Sequence, residues 1–399
     1  MDEVRAEVAE QTWNVFGEWA ALQNRAPMPL EELYGAARAA CPVKRISMPD
    51  GSPAWAVLGQ AEVDKVLMDT GRFSNEMNQF GPTRMIPMES DPPEHTPYRR
   101  ILNRLIDTKK AEQLTPAVRG YVGGLLQPLL DAGCGDLRPV AEELTLRVLC
   151  RLVGVPDSEW TVIQESQAGR KPGEVANTTE EAVKHRFAAL VPVIDYAHGL
   201  IEQRRASPED DLVTGLLQSK IGDRPLSDDE SLQMLMLVLL GGHETTRSAL
   251  LSAVMLLALN PDVQARLRAD PSLIPQAVEE CLRIEGPVQG LFRLATEDVE
   301  LAGQRISRGE LVMPFFGAAN HDPAYFERPT QFDIDRPKSR NYAFGRGTHL
   351  CVGAPIARME MRVFIEELLA RTSSFAITGS FEREGVPDLS FRRLELTLR

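Results

Sequence analysis

The chain of 399 residues has no apolar run long enough to cross a bilayer. Its greasiest stretch, residues 232–242 (LQMLMLVLLGG), falls well short of the roughly 18–20 apolar residues that a span needs. The N-terminal MDEVRAEVAEQTWNVFGEW carries acids and no apolar core of a secretory signal. Cysteine is sparse: Cys41, Cys134, Cys150, Cys281 and Cys351 are scattered, odd in number and form no CxxC pair. That excludes a disulfide framework and points to a reducing cytoplasm. Positive charge is in deficit, with 44 Lys and Arg against 57 Asp and Glu and a net charge of −13. Indiscriminate binding to nucleic acid or to an anionic membrane is thereby disfavoured. No GxGxxG fingerprint for a flavin or nicotinamide is present, nor any internal repeat or low-complexity tract.

What remains is an ordinary globular composition, 43% hydrophobic and 25% charged, able to bury a large core. The first 40 residues read as helix interrupted by prolines. Residues 42–60 (PVKRISMPDGSPAWAVLGQ) read as a hairpin around Asp50-Gly51, a favoured two-residue turn. From about 98 to 285 the pattern is mostly helical, as in EELTLRVLCRLVGV. From about 286 to 350 short alternating runs broken by Gly, Asp and Pro predict strands and turns. A helix returns over 354–371, followed by a β-like tail over 373–399. The expected class is mainly α with small β-sheets (α+β), in a single domain spanning 1–399.

One helix stands out. Ser227-Asp228-Asp229-Glu230 is a capping box at its start, and Asn260-Pro261 ends it. The spacing predicts one continuous helix between those signals, longer than the usual roughly 8–20 residues. Near its middle lies LLGGHETTRS, residues 239–248. Glycine in a helix costs ~1 kcal/mol relative to alanine, so Gly241 and Gly242 need a reason. Close helix packing is one; room for something large and flat against the backbone is the other. Glu244 and Thr245, deep in apolar surroundings where unpaired polar groups are costly, favour a groove where a small polar ligand is handled and protons are delivered. The zinc-protease pattern HExxH fails, because the second ligand position is occupied by Arg247.

The second constellation is FGRGTHLCVG, residues 344–353. Gly345 and Gly347 permit a tight turn, and Pro355 suits the first turn of a helix. A thiolate at Cys351 would feel that helix N-terminus and the turn's N–H donors, both of which stabilise negative sulfur. His349 and Cys351 alone do not supply a zinc ligand set, and no nucleophilic-cysteine signature surrounds them.

At this point the sequence resembles the cytochrome P450 family. FGRGTHLCVG resembles its haem-ligand loop and GGHETT its oxygen-groove motif. Glu280-Cys281-Leu282-Arg283 resembles its ExxR motif, and Asp91-Pro92-Pro93-Glu94-His95 its haem-edge helix start. RLATEDVEL and FGAANHDPAYFERPTQFDIDRP resemble its strand region and meander, and the order along the chain is the family's. The acidic, anchor-free chain is most similar to the soluble, camphor-hydroxylase-like bacterial branch.

The resemblance implies a cytochrome P450 fold with haem b between the long central helix and the cysteine loop. It implies Cys351 as axial thiolate on iron, with Phe344, Gly345, Gly347 and Gly353 shaping the proximal side. His95, Arg99, Arg293 and His349 would hold the haem propionates. Gly241 and Gly242 would leave room for dioxygen, the co-substrate. Thr245 would donate a hydrogen bond to the oxygen being reduced, and Glu244 would relay protons. Glu280, Arg283 and Arg336 would be a structural cluster under the haem rather than catalytic groups.

The substrate pocket implied by position comprises Met85, Ile86, Leu237, Leu240, Val288, Gln289, Leu291 and Phe391. The camphor-binding relative uses a tyrosine near the place of Thr83, and residues 72–97 contain none, so a different small hydrophobic substrate, terpenoid- or norisoprenoid-like, is expected. Electrons would come from NAD(P)H only indirectly, through a ferredoxin reductase and a 2Fe-2S ferredoxin. The basic residues Arg99, Arg100, Arg104, Lys109 and Lys110, with Lys338 and Arg340, would dock that acidic partner. The overall expectation is a cytoplasmic, monomeric haem-thiolate monooxygenase. A haem-thiolate ligand sensor and a peroxide-using haem enzyme are the alternatives; the acid–alcohol pair Glu244 and Thr245 disfavours both.

Overall fold

Gly51, at φ +83°, turns the chain back between Val43–Ser47 and Pro53–Val57, the hairpin expected from Asp50-Gly51. The computed structural model describes residues 12–77, 84–166, 180–337, 340–385 and 388–399; Thr83 and Lys338 lie outside these. The hairpin begins a five-stranded sheet. Leu311–Pro314 joins Pro53–Val57 in parallel, Arg293–Ala295 pairs antiparallel with Leu311–Pro314, and Phe73–Ser74 closes the edge. A second sheet is the C-terminal hairpin, Phe375–Glu384 against Ser390–Leu398, with Cys134–Asp136 added at its edge.

Everything else of size is helical, so the class is α with small sheets, as the pattern predicts. Helices Val15–Leu22 and Leu30–Ala40 bear out the expectation for the N-terminal region from residue 12 onward. In the 286–350 stretch the expected strands end at Pro314. Phe316–Asn320 is a helix, and the meander beyond it is irregular backbone held by side chains.

That meander hangs on a buried ion cluster. Arg283 Nε and Nη2 donate to Glu280 Oε2 and Oε1 at 2.7 and 2.8 Å, and Arg336 Nε donates to Glu280 Oε1 at 3.1 Å. Arg283 Nη1 also reaches the carbonyls of Asn320 and Pro329 at 2.9 and 2.8 Å, while the N–H of Asp333 donates to Glu280 at 3.0 Å. Carbonyls that no strand or helix satisfies thus find guanidinium donors instead.

The central helix begins at the capping box, where Ser227 Oγ accepts from the N–H of Glu230 at 3.1 Å. It ends before Asn260. It is not continuous, however: Asp228–Gly241 and Glu244–Leu259 are separated by Gly242 and His243. A side chain on Gly242 would meet the Val238 carbonyl oxygen at 2.6 Å and Leu149 at 3.0 Å. The second half is buried on every side from Thr246 to Leu257, which explains why its sequence is apolar all round. It packs against Arg138–Val153, Ile274–Glu285 and Ala354–Arg371, the helix that follows Cys351. Among the described residues no single helix is long and apolar enough to cross a membrane.

Candidate active site

Two glycines with positive φ, Gly345 at +66° and Gly347 at +70°, fold the segment before Cys351 into a tight loop. A side chain on Gly347 would meet the Leu67 carbonyl oxygen at 2.7 Å, so glycine is required there by approach as well as by conformation. The N–H of Cys351 donates to the Phe344 carbonyl at 2.9 Å, closing the loop. Asp64 anchors it from outside: its carboxylate accepts from Tyr342 Oη at 2.6 Å and from Arg346 Nη1 at 3.0 Å, and pairs with Arg340 at 2.5 Å. Phe344 lies 4.4 Å beneath the guanidinium of Arg358.

Cys351 presents accessible surface, yet protein surrounds it closely enough that burial raises its thiol pKa. The N–H groups of Gly353 and Ala354, at the start of the Ala354–Arg371 helix, and the cations Arg99 and Arg358 pull in the opposite direction. The sulfur therefore has the donors and charges that a metal-bound thiolate requires. Gly353 adopts an ordinary negative φ; a Cβ there would stand 3.8 Å from the sulfur.

Four nitrogen-bearing side chains gather on one side of this loop. The rings of His95 and His349 meet edge to face, 4.7 Å apart. Nε2 of each is buried without an aligned hydrogen-bond partner, although His349 Nε2 comes within 3.5 Å of Asp91. Burial, then His349 and Arg99, push the His95 pKa down to about 4. Burial also lowers that of His349, which Arg293 and Arg99 reinforce and Asp91 opposes. Arg293 is buried, donates among the described residues only to the carbonyls of Phe292 and Leu291 at 2.9 and 3.3 Å, and is pushed by burial to about 10. Among the described residues Arg99 has only Asn103 as a hydrogen-bond partner, at 2.9 Å, and burial lowers its pKa against the pull of Cys351.

Asp91 is the residue that orders this group. It accepts from Ser74 Oγ at 2.5 Å and from the N–H of Asn75 at 3.2 Å, and so ties the edge strand of the large sheet to His349. Its position within DPPEH was visible in the sequence, but its bond to His349 was not. One half-buried carboxylate does not neutralise two arginines, and the two neutral imidazoles keep donors to offer. The set fits a group with two carboxylates of its own, placed beside a thiolate.

Across from the loop, the helix break opens the groove. Thr245 Oγ1 donates to the Gly241 carbonyl at 3.1 Å. A side chain on Gly241 would meet nothing within 4 Å, so this glycine faces open space rather than a packed helix. Glu244 Oε1 stands 3.8 Å from the buried Arg247, which also approaches Glu142 at 3.6 Å and Glu384 at 3.8 Å.

The expected substrate residues are not all alike. Met85, Ile86 and Leu240 are buried, and Leu237 keeps partial exposure. Val288 and Leu291 pack against the cluster around the large sheet. Gln289 is turned into the core, with Nε2 donating to the Gly286 carbonyl at 2.7 Å. Phe391 has no accessible surface and packs on Phe381 and beneath Arg383, with the guanidinium 4.6 Å from its ring. In the turn of that hairpin, Asp388 accepts from the N–H of Gln289, and burial, then the charge of Glu244, raise its pKa to about 7.

The Cytochrome P450 family model matches residues 170–375. The chain is 34% identical over 384 residues to vitamin D(3) 25-hydroxylase of Pseudonocardia autotrophica, covering 91% of this chain and 90% of that protein. It is 34% identical over 371 residues to mycinamicin IV hydroxylase/epoxidase of Micromonospora griseorubida, covering 90% of each. Among solved structures, a mutant of P450 EryK in complex with erythromycin B superposes with a TM-score of 0.84 at 28% identity, covering 96% of this chain and 97% of that one.

Proposed function

The chain belongs to the cytochrome P450 family, and from that premise we propose that this monooxygenase hydroxylates a small hydrophobic molecule, terpenoid- or norisoprenoid-like, with electrons from a 2Fe-2S ferredoxin. The family implies haem b as cofactor and dioxygen as co-substrate. When bound, haem supplies the redox centre at which dioxygen is activated by two electrons. The observation that carries the reading is the buried group His95, Arg99, Arg293 and His349, under-supplied with carboxylates and beside a cysteine ringed by N–H donors.

In this reading Cys351 ligates iron, and the two arginines and two histidines hold the propionates. Phe344, Gly345 and Gly353 shape the proximal side, and Gly241 and Gly242 the distal one. Glu244 would relay protons from solvent toward the groove, and Thr245 would orient them. Arg247 holds the Glu244 carboxylate at the groove's edge. Met85, Ile86, Leu237, Leu240, Val288 and Leu291 supply apolar walls that exclude water; Gln289 and Phe391 act behind them as support.

The names of the relatives speak of vitamin D(3), mycinamicin IV and erythromycin B. The ferredoxin, reduced from NAD(P)H by its reductase, docks on the basic face of Arg99, Arg100, Arg104, Lys109 and Lys110. The enzyme works in the cytoplasm as a monomer, with residues 1–399 forming one domain.

The test is spectroscopic. Purified protein loaded with haem is reduced under carbon monoxide, then titrated with a monoterpene alcohol, a sesquiterpene, a steroid and a macrolactone. A red-displaced Soret band and a low-to-high-spin shift with the terpenoids support the reading. A carbonyl adduct without that band overturns it, and a shift with the macrolactone alone overturns the substrate class.

A further inference from the structure

Arg247 follows Glu244 by three residues on the second half of the central helix and is buried among three carboxylates from three segments. Its Nη1 stands 3.6 Å from Glu142 Oε1, on the Arg138–Val153 helix. Its Nη2 stands 3.8 Å from Glu244 Oε1 and 3.8 Å from Glu384 Oε1, at the end of the Phe375–Glu384 strand. None of the three is close enough for a hydrogen bond. Nη2 bonds Ser390 Oγ instead, at 3.3 Å, and Nε is buried without a partner among the described residues. An arginine that seats one carboxylate holds it with two parallel bonds. Here the guanidinium is shared loosely, and none of the three acids is locked to it.

The three acids differ in what else they touch. Glu142 Oε2 is 2.5 Å from Arg138 Nη1, and its Oε1 accepts from Gln164 Nε2 at 3.0 Å. Glu384 has Arg138 at 3.9 Å and Arg392 at 3.7 Å. Both are therefore anchored by an arginine other than Arg247. Their side chains are 13% and 17% exposed, against 27% for Glu244, the most open of the three to a solvent proton. Asp388, in the hairpin turn, is a further acid that feels the charge of Glu244. Once neutral, Glu244 no longer attracts Arg247, while Glu142 and Glu384 still do.

We propose that Glu244 is a swinging arm released by its own proton, with Arg247 as the latch. The inference rests on the proton-relay role proposed above for Glu244. Charged, the carboxylate is parked on Arg247. A solvent proton forms an O–H bond on Glu244, the guanidinium settles on Glu142 and Glu384, and the neutral side chain turns to the groove. There the O–H bond breaks as the proton is passed on at Thr245, and the restored carboxylate returns to Arg247. Loading and release are thus one event, and an unloaded arm is kept out of the groove. Arg247, Glu142 and Glu384 act through Glu244, so they are positioning residues.

Infrared spectra of the haem-loaded enzyme read the arm without turnover. The neutral-carboxyl band that Glu244→Gln abolishes reports how much of Glu244 is loaded at a given pH. Arg247→Met is expected to strengthen that band severalfold, because the charged form loses its latch. Glu142→Gln with Glu384→Gln is expected to weaken it severalfold, because neither acid then competes for Arg247. In the Arg247→Met background the same two substitutions are expected to change it little. Equal weakening with and without Arg247 is a direct charge effect and overturns the exchange. A band that no substitution moves, or no such band, overturns it too. Arg247→Gln, which can still bond Ser390, takes the place of Arg247→Met if the latter does not fold. NADPH oxidation with a plant-type ferredoxin and its reductase tests the use of the arm, and is expected to slow severalfold in the double glutamine variant. Bands that move as expected over an unchanged oxidation rate overturn the relay role of Glu244 but not the exchange. Unmoved bands over a slowed rate overturn the exchange alone.

Discussion

Thr245 Oγ1 donates to the Gly241 carbonyl across the break in the central helix, at 3.1 Å. The bond satisfies a carbonyl that the interrupted helix would leave without a partner, and it points the hydroxyl oxygen at the groove. Thr245→Ala removes one partly exposed hydrogen bond, worth about 0.5–1.5 kcal/mol of stability. The expected variant keeps its haem and its carbonyl spectrum but diverts electrons to hydrogen peroxide. Peroxide release per NADPH oxidised is the measurement, and an unchanged ratio rejects the assigned role.

Cys351 is the next test. Burial raises its thiol pKa, so only a bound cation, together with the Gly353 and Ala354 N–H groups, keeps it as thiolate at neutral pH. Cys351→Ala leaves the loop's backbone bonds in place, because the closing bond uses the N–H of residue 351 and not its sulfur. The expected protein is folded by circular dichroism, but its ferrous carbonyl adduct lacks the red-displaced Soret band. A retained band would mean that another ligand holds the iron.

Glu280→Gln attacks the meander. Arg283 is buried and Arg336 mostly so, and both rely on Glu280, so the substitution leaves two cations with one neutral amide between them. Breaking a buried pair by removing one partner costs about 3–5 kcal/mol. A fall of that size in denaturation free energy, with loss of haem content, is expected from urea unfolding. An effect below ~1 kcal/mol, the range of exposed pairs, would contradict the cluster's structural role.

The parts of the site that were legible in the sequence are those whose chemistry is local. The glycines before Cys351, the capping box at Ser227 and the ExxR pair each need neighbours only a few residues away. The helix break at Gly242 escaped notice because start and stop signals mark ends, not interruptions; it depends on Leu149, from another helix. The partners of Asp64 and Asp91 were invisible for a different reason. Neither acid shows its role until folding brings it to Arg346 or His349. Phe391 was assigned to the pocket by position, yet the hairpin's register shifts between Glu382 and Arg383, and Phe391 faces the core beside Arg383.

The basic face offers a prediction about electron supply. Arg100 and Lys109 are exposed, and Arg104 bonds Ser219 at 3.1 Å, whereas Arg340 is already paired with Asp64. Neutralising Arg100 and Arg104 together removes two rim charges worth about 0.5 kcal/mol each, or roughly fivefold in the apparent affinity for ferredoxin. Turnover at limiting ferredoxin, measured against salt, is expected to fall in the double variant and to respond less steeply to ionic strength. Identical salt slopes would move the docking site elsewhere.

His321 gives the pH dependence of the fold. It is buried below the meander, where Nδ1 bonds the Gly317 carbonyl at 2.9 Å. Burial, then Arg283, lower its pKa from 6.5 to about 3. The unfolded chain therefore takes up a proton near pH 6.5 that the folded chain refuses until about pH 3. Stability from this site is intact above 6.5, is lost progressively as pH falls below that value, and stops falling near 3. The full loss is on the order of a few kcal/mol. His321→Gln keeps a donor for Gly317 but has no proton to gain. Its unfolding free energy is thus expected to lie below that of wild type at neutral pH and to approach or cross it as the solution is acidified. Curves that stay parallel down to the acid limit would show that His321 titrates alike in both states, and that the arginines beside it do not hold it neutral.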